Sequence, residues 1–183
     1  MTHEDLPIGP ADGGALPDPR ALLAREILGL SVPADAERQI ILAGATYADS
    51  ELAEEHLREA ARLAPGHAAV LIARYRYLFY KHRLDEAREV ARLCLDKAID
   101  DNGFGCDWFD VTPDQADFAD MGAVLPRFFL FALKGWSYLN LRLGDIGEGV
   151  LALAKMLELD PADRLGARLL LAVIADADPR ETP

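Results

Sequence analysis

Apolar residues recur at helical spacing along most of this chain, and proline, glycine and aspartate interrupt them at short intervals. The stretch ELAEEHLREAARLAP ends at Pro65, and LGDIGEGVLALAKMLELDP ends at Pro161. Proline ends a helix because it lacks a backbone N–H and clashes with the preceding turn. No segment shows the sustained alternation of apolar and polar residues that marks a strand. The pattern therefore predicts an all-α fold of helices paired by short turns.

Three of these segments share a spacing of small and bulky residues. The first is residues 51–65, the second is KHRLDEAREVARLCLDKA at residues 81–98, and the third is residues 143–161. They resemble the second half of a tetratricopeptide repeat, a helix–turn–helix unit of about 34 residues. The matching positions are Ala53, Leu57, Ala60 and Pro65; Ala87, Ala91 and Cys94; and Gly144, Asp145, Glu148, Gly149, Lys155 and Pro161.

This resemblance implies a short right-handed α-solenoid of about three helical hairpins. One helical domain is expected at residues 19–177, with flexible tails at 1–18 and 178–183. Within it, repeats are expected at about 34–67, 68–101 and 128–161, after an N-terminal helix at 19–30. An acidic insertion at about 100–125 separates repeats two and three, and a capping helix is expected at 162–176. Ordinary bundle packing of the same helices is the alternative.

The first helix of each unit departs from the family pattern. The position that is usually small holds Ile41 in the first repeat, Tyr75 in the second and Ser137 in the third. Two bulky residues there imply shifted or looser packing between the paired helices.

Charge and cysteine content restrict the class of partner. The formal net charge is −12, whereas proteins that bind nucleic acids or anionic membranes normally present a basic face. Two cysteines make neither a disulfide framework nor a four-cysteine zinc site. Residues 1–20 have no apolar core of the kind found in a signal peptide, so a cytoplasmic location is expected.

Stacked repeats of this family line a concave groove with residues of the first helix of each unit. Carrying those positions over predicts a partner-binding groove that is basic and aromatic. Its residues are Arg38, Arg76, Tyr80, Phe131, Lys134, Tyr138 and Arg142, with Leu42 and Ala45 beside Arg38. Such a groove suits a peptide with acidic and apolar residues, because cations pair with carboxylates and rings supply buried area.

The acidic insertion, DDNGFGCDWFDVTPDQADFADMGAV, holds seven aspartates and four aromatic residues. Repelling carboxylates extend a loop, whereas aromatic rings seek a surface. One interpretation is therefore a docking segment that covers the protein's own groove or binds a partner through Phe104, Asp107, Trp108, Phe109 and Asp110. The alternative is that Phe104, Trp108 and Phe118 form a structural patch over the edge between repeats.

The sequence favours a non-catalytic protein-interaction module, such as an adaptor or a chaperone-like assembly factor. It offers no nucleophile–base pair and no metal-ligand spacing, so we expect no catalytic residue, no cofactor and no metal. The acidic surroundings of Cys106 raise rather than lower a thiol pKa. A small metal-binding or enzymatic protein that uses the aspartate-rich loop and Cys106 is the alternative of another class.

A narrower resemblance concerns the third repeat and the residues on its C-terminal side. PRFFLFALKGWSYLNLRLGD and LALAKMLELDPADRLGA are similar to small tetratricopeptide proteins that accompany nitrogen-fixation genes in proteobacteria. That resemblance implies a protein partner among nitrogenase components or their assembly machinery.

Overall fold

The computed structural model describes residues 32–120 and 122–177. Within these ranges the chain forms seven α-helices and one 3₁₀ helix, with no strand, which confirms the predicted all-α fold. The α-helices are α1 (Ala34–Ala45), α2 (Ser50–Leu63), α3 (Ala68–Tyr80), α4 (Leu84–Asn102), α5 (Val124–Arg142), α6 (Ile146–Leu159) and α7 (Ala167–Ala177). The helix predicted at 19–30 and the predicted tails lie outside the described residues.

Each helix packs mainly against its neighbours in the chain. The pairs α1–α2, α3–α4 and α5–α6 are in close contact, α4 packs on α5, and α6 packs on α7. Helix α1 also touches α3, so the first helices of the first two pairs lie side by side. Packing between sequence neighbours is typical of a solenoid-like array.

Turn residues explain where the helices begin and end. The Asp49 carboxylate accepts a hydrogen bond from the Leu52 amide at 3.2 Å, and Asp145 accepts one from the Glu148 amide at 3.4 Å. Each carboxylate satisfies an amide that has no partner in the first turn of its helix. Helix α4 ends at Gly103, whose φ of 68° is a left-handed conformation that glycine adopts without steric cost.

The crossing of α5 and α6 depends on two small residues. The Ser137 hydroxyl donates to the Gly149 carbonyl oxygen at 2.8 Å, and an added Cβ at Gly149 would lie 2.5 Å from the Leu141 side chain. A glycine is therefore needed for the two backbones to approach this closely. In the first pair, by contrast, Ile41 is 63% exposed and the buried small residues of α1 are Ala36 and Ala43. The register carried over for α1 is thus wrong.

The acidic segment between α4 and α5 is folded onto the helices by its apolar residues. Phe104, Trp108, Val111 and Phe118 are each less than 8% exposed. The Phe104 ring meets the buried Phe129 ring of α5 edge to face, with centroids 5.2 Å apart. The 3₁₀ helix Trp108–Asp110 lies in this segment and contacts α4.

Several aspartates of the segment fix its turns. The Asp117 carboxylate accepts from the amides of Ala119 and Asp120, at 3.0 and 3.1 Å. Asp120 in turn accepts from the Gly122 amide at 2.7 Å. Asp107 instead pairs with Arg92 of α4 at 3.1 Å. Short carboxylates that bind nearby amides stabilise turns, which gives much of the acidic character a local structural role.

Candidate functional site

An open groove runs across the first helices of the successive pairs, α1, α3 and α5. It consists of two concavities of about 250 and 290 Å³. The first lies between α3 and α5 and reaches Leu170 of α7, and the second lies between α1 and α3. Ile72, Arg76 and Tyr80 of α3 line both, so the two concavities lie next to each other on either side of this helix face.

Aromatic rings from α3 and α5 form the wall of the first concavity. Tyr75 and Phe79 stack with centroids 5.8 Å apart, and Phe79 meets Tyr138 at 5.6 Å. Gly135 of α5 makes room for the Tyr75 side chain, because an added Cβ there would lie 3.0 Å from the Tyr75 hydroxyl oxygen. Tyr80 is 46% exposed at the junction of the two concavities. The wall therefore presents apolar area to a ligand.

The charge of the groove is opposite to that of the whole chain. Arg76 and Lys134 are the charged residues that line it, and no aspartate or glutamate does so among the described residues. Half-buried Arg76 makes no ion pair within residues 32–120 and 122–177. The ammonium group of Lys134 donates a hydrogen bond to the carbonyl oxygen of Leu165. An anionic ligand group would thus meet a guanidinium that no carboxylate of the described residues neutralises.

The structure brings together most of the residues predicted to form the groove. The predicted residues that line it are Arg76, Tyr80, Phe131, Lys134 and Tyr138. Arg142 lies just outside: its guanidinium sits 5.8 Å from the Tyr138 ring centroid and donates to that hydroxyl at 3.0 Å.

The prediction for α1 is wrong in detail. Arg38, Leu42 and Ala45 do not line the groove, and the lining residues from this first pair include Ile40, Ala43, Gly44 and Tyr47. The cause is the shifted register of α1 that the exposure of Ile41 also shows. Tyr47 was missed because it follows the end of α1. The Lys81 ammonium lies 4.3 Å from its ring centroid, but the two residues are far apart in the sequence, so no local pattern could have pointed to this contact.

Residues of the insertion lie on the other side of α5. The buried rings of Phe104 and Phe118 contact Phe129, whereas the groove is lined by Phe128 and Phe131. No described residue of the insertion lines either concavity. The described part of the insertion therefore does not cover the groove, which corrects the interpretation of this segment as a lid.

Among the five insertion residues considered for partner binding, burial separates two groups. Phe104 is 7% exposed and Trp108 is 4% exposed, so both belong to the core. Phe109 is 52% exposed, and Asp107 and Asp110 are exposed beside it. The structural-patch alternative thus describes Phe104, Trp108 and Phe118, and only the other three residues offer surface to a partner.

Lys155 of α6 holds the insertion, a role that sequence reasoning missed. Its side chain is 7% exposed, and its ammonium donates to the Val111 carbonyl oxygen at 3.1 Å. The same ammonium pairs with Glu158 at 2.8 Å and lies 5.4 Å from the Phe109 ring centroid. A lysine within the apolar run LALAKMLEL was the available signal, because a buried lysine needs partners.

The two cysteines differ in environment. Cys94 is buried at the floor of the first concavity, and this burial raises the pKa of its thiol to about 12. Cys106 is half-buried in the insertion, and both thiols are free. Within residues 32–120 and 122–177, no group of three or more histidine, cysteine or acidic side chains is arranged to hold a metal ion. No helix in those ranges has the length and apolar character needed to cross a bilayer.

Comparison with known proteins provides a relative. No protein-family model matches the chain, and no solved structure matches it significantly. The chain is 42% identical over 125 residues to the "Uncharacterized 19.8 kDa protein in nifW 5'region" of Azotobacter chroococcum mcd 1. The alignment covers 68% of this chain and 70% of that protein. The chain therefore belongs to the same protein family as this Azotobacter protein.

Proposed function

We propose that this protein is a non-catalytic accessory factor that binds a partner protein through the groove across α1, α3 and α5. The observation that carries the proposal is the composition of the groove: aromatic rings, two cations and no acidic lining residue among those described, on a chain with a net charge of −12. An acidic and apolar segment of a partner fits such a surface, because rings and arginine supply most binding energy in protein interfaces.

The groove also supports the resemblance to tetratricopeptide repeats. Its lining comes mainly from the first helix of each pair, as the resemblance implies. The nearest-neighbour packing of the helices agrees with stacked repeats, although no family model detects them.

The relative supports a role in nitrogen fixation. Its name places it in the nifW 5' region, and the third repeat of this chain resembles small proteins that accompany nitrogen-fixation genes. We infer that the partner is a nitrogenase component or a protein that assembles nitrogenase. The cytoplasm, where the sequence predicts the protein to be, is the compartment proposed for this interaction.

The test is capture of the partner from cells grown under nitrogen-fixing conditions. The tagged full chain is compared with Arg76→Glu in the groove and with Arg58→Glu, an equal charge change at an exposed residue of α2 that does not line the groove. We expect the wild type and Arg58→Glu to retain a nitrogenase component or assembly protein and Arg76→Glu to lose it. Equal capture by all three, or no such protein with any, would overturn the proposal.

A further inference from the structure

The two concavities of the groove meet at one charged residue. Arg76 lines both of them, between the aromatic wall formed with α5 and a more aliphatic hollow formed with α1. Ile72 and Tyr80 also line both and lie on the same helix, one turn before and one turn after it. A ligand that fills both concavities must therefore pass the Arg76 guanidinium.

We propose that the groove recognises a linear segment with two apolar anchors on either side of one carboxylate, which pairs with Arg76. This inference rests on the proposed function and adds the chemistry of the partner. The carboxylate is assigned to the centre of the segment because Arg76 is the cation that lines both concavities. Arginine binds carboxylates through two parallel hydrogen bonds, which fixes orientation as well as charge.

The two concavities offer different apolar surfaces. Tyr75, Phe79 and Tyr138 offer ring faces and edges in the first, which favours an aromatic anchor. The second is lined by Ile40, Ala43, Leu57 and Ala69 together with the rings of Tyr47 and Tyr77, which suits an aliphatic or an aromatic anchor. An aromatic anchor is thus expected near α5, and an apolar anchor of either kind near α1.

A second cation extends the pattern beyond the aromatic anchor. Lys134 lines the first concavity but not the second. An additional acidic residue on the α5 side of the central carboxylate is therefore expected to strengthen binding. A small aromatic acid could occupy the first concavity alone, but it would leave the second empty and gain nothing from α1.

Selection of peptides from a random dodecapeptide phage library against the full chain tests this inference. We expect a consensus with an aromatic residue, an acidic residue and a second apolar residue in that spatial order. Synthetic versions of the selected peptides should lose about tenfold or more in affinity with Arg76→Gln, an amount equal to about 1.4 kcal/mol. The matched Arg58→Gln variant should bind them as the wild type does.

Other results would overturn the inference. These are a consensus without an acidic residue, no consensus at all, or acidic peptides that bind Arg76→Gln as tightly as the wild type. Far-ultraviolet circular dichroism and melting of Arg76→Gln check that its fold is retained; if it is not, Arg76→Lys takes its place, with the same loss of two-bond pairing.

The outcome is separable from that of the proposed function. A nitrogen-fixation partner captured through the groove without this motif contradicts only the inference. A motif that binds at Arg76 in the absence of any such cellular partner contradicts only the proposed function.

Discussion

The groove and the insertion contain similar residues, aromatic rings beside charges, but the structure uses them in opposite ways. The insertion buries Phe104, Trp108 and Phe118 against the helices and uses aspartates to fix turns. The groove leaves its rings partly open beside an arginine that has no acidic partner within the described residues. The difference shows that similar composition can form either a buried patch or an open groove, and that burial and the pairing of charges distinguish the two.

The largest expected effect is on stability, and it differs between two adjacent aromatic residues of the insertion, Trp108 and Phe109. Trp108→Ala should lower the free energy of unfolding by about 3–5 kcal/mol, because it empties a buried site. Phe109→Ala should cost about 1 kcal/mol or less, since its ring is 52% exposed and lies over Lys155. Urea unfolding followed by circular dichroism measures both. Equal costs would mean that the insertion is not part of the core.

A smaller effect on stability is expected for two lysines in different environments, Lys155 beneath the insertion and Lys81 beside Tyr47. Lys155→Met should lower the free energy of unfolding by about 1–3 kcal/mol, because the buried Val111 carbonyl loses its donor. Lys81→Met, at the groove end beside Tyr47, removes two cation–ring contacts, with Tyr47 and Tyr77, and should cost about 0.5–1 kcal/mol.

Denaturant midpoints of the two lysine variants, with unchanged slopes, give these values. A Lys155→Met variant as stable as the wild type would show that the insertion does not need this anchor.

The next prediction concerns the order in which the two thiols react with a labelling reagent. At pH 8, a thiol-reactive disulfide reagent should modify Cys106 first and Cys94 only as the chain opens, because burial raises the pKa of the Cys94 thiol to about 12. The Cys106→Ser variant isolates the slow phase. Rapid native-state labelling of Cys94 in that variant would show that the groove floor is open to solvent.

The Cys94 thiol also makes the free energy of unfolding depend on pH. Its folded-state pKa is raised from 9.0 to about 12, so its contribution to stability is fully present below pH 9 and is lost as the pH rises toward 12. Comparison of the wild type with Cys94→Ala between pH 8 and 10.5 checks the sign. A difference in unfolding free energy that grows in favour of the wild type with rising pH would contradict it.

Sequence reasoning was successful where helical periodicity and turn chemistry act locally. Gly103 follows the last residue of α4, as glycine commonly does at a helix end. Most of the α3 and α5 positions carried over from the repeat pattern line the groove, and Arg142 lies just outside it. It was wrong for α1, whose register depends on which of its residues pack against α2. It named Trp108 and not Phe109 for the structural patch, but it did not decide between that patch and a docking segment. The burial of these two loop residues depends on contacts with α4 and with Lys155 of α6, and the sequence alone does not show those contacts.

The central claim is that a partner binds the groove and not the insertion, and two rings of similar exposure test it directly. Tyr80 is 46% exposed in the groove, and Phe109 is 52% exposed in the insertion. The measurement is the dissociation constant of the captured partner for Tyr80→Ser and for Phe109→Ser. We predict a loss of about tenfold or more for Tyr80→Ser and less than about twofold for Phe109→Ser. A large loss for Phe109→Ser with none for Tyr80→Ser would contradict the account.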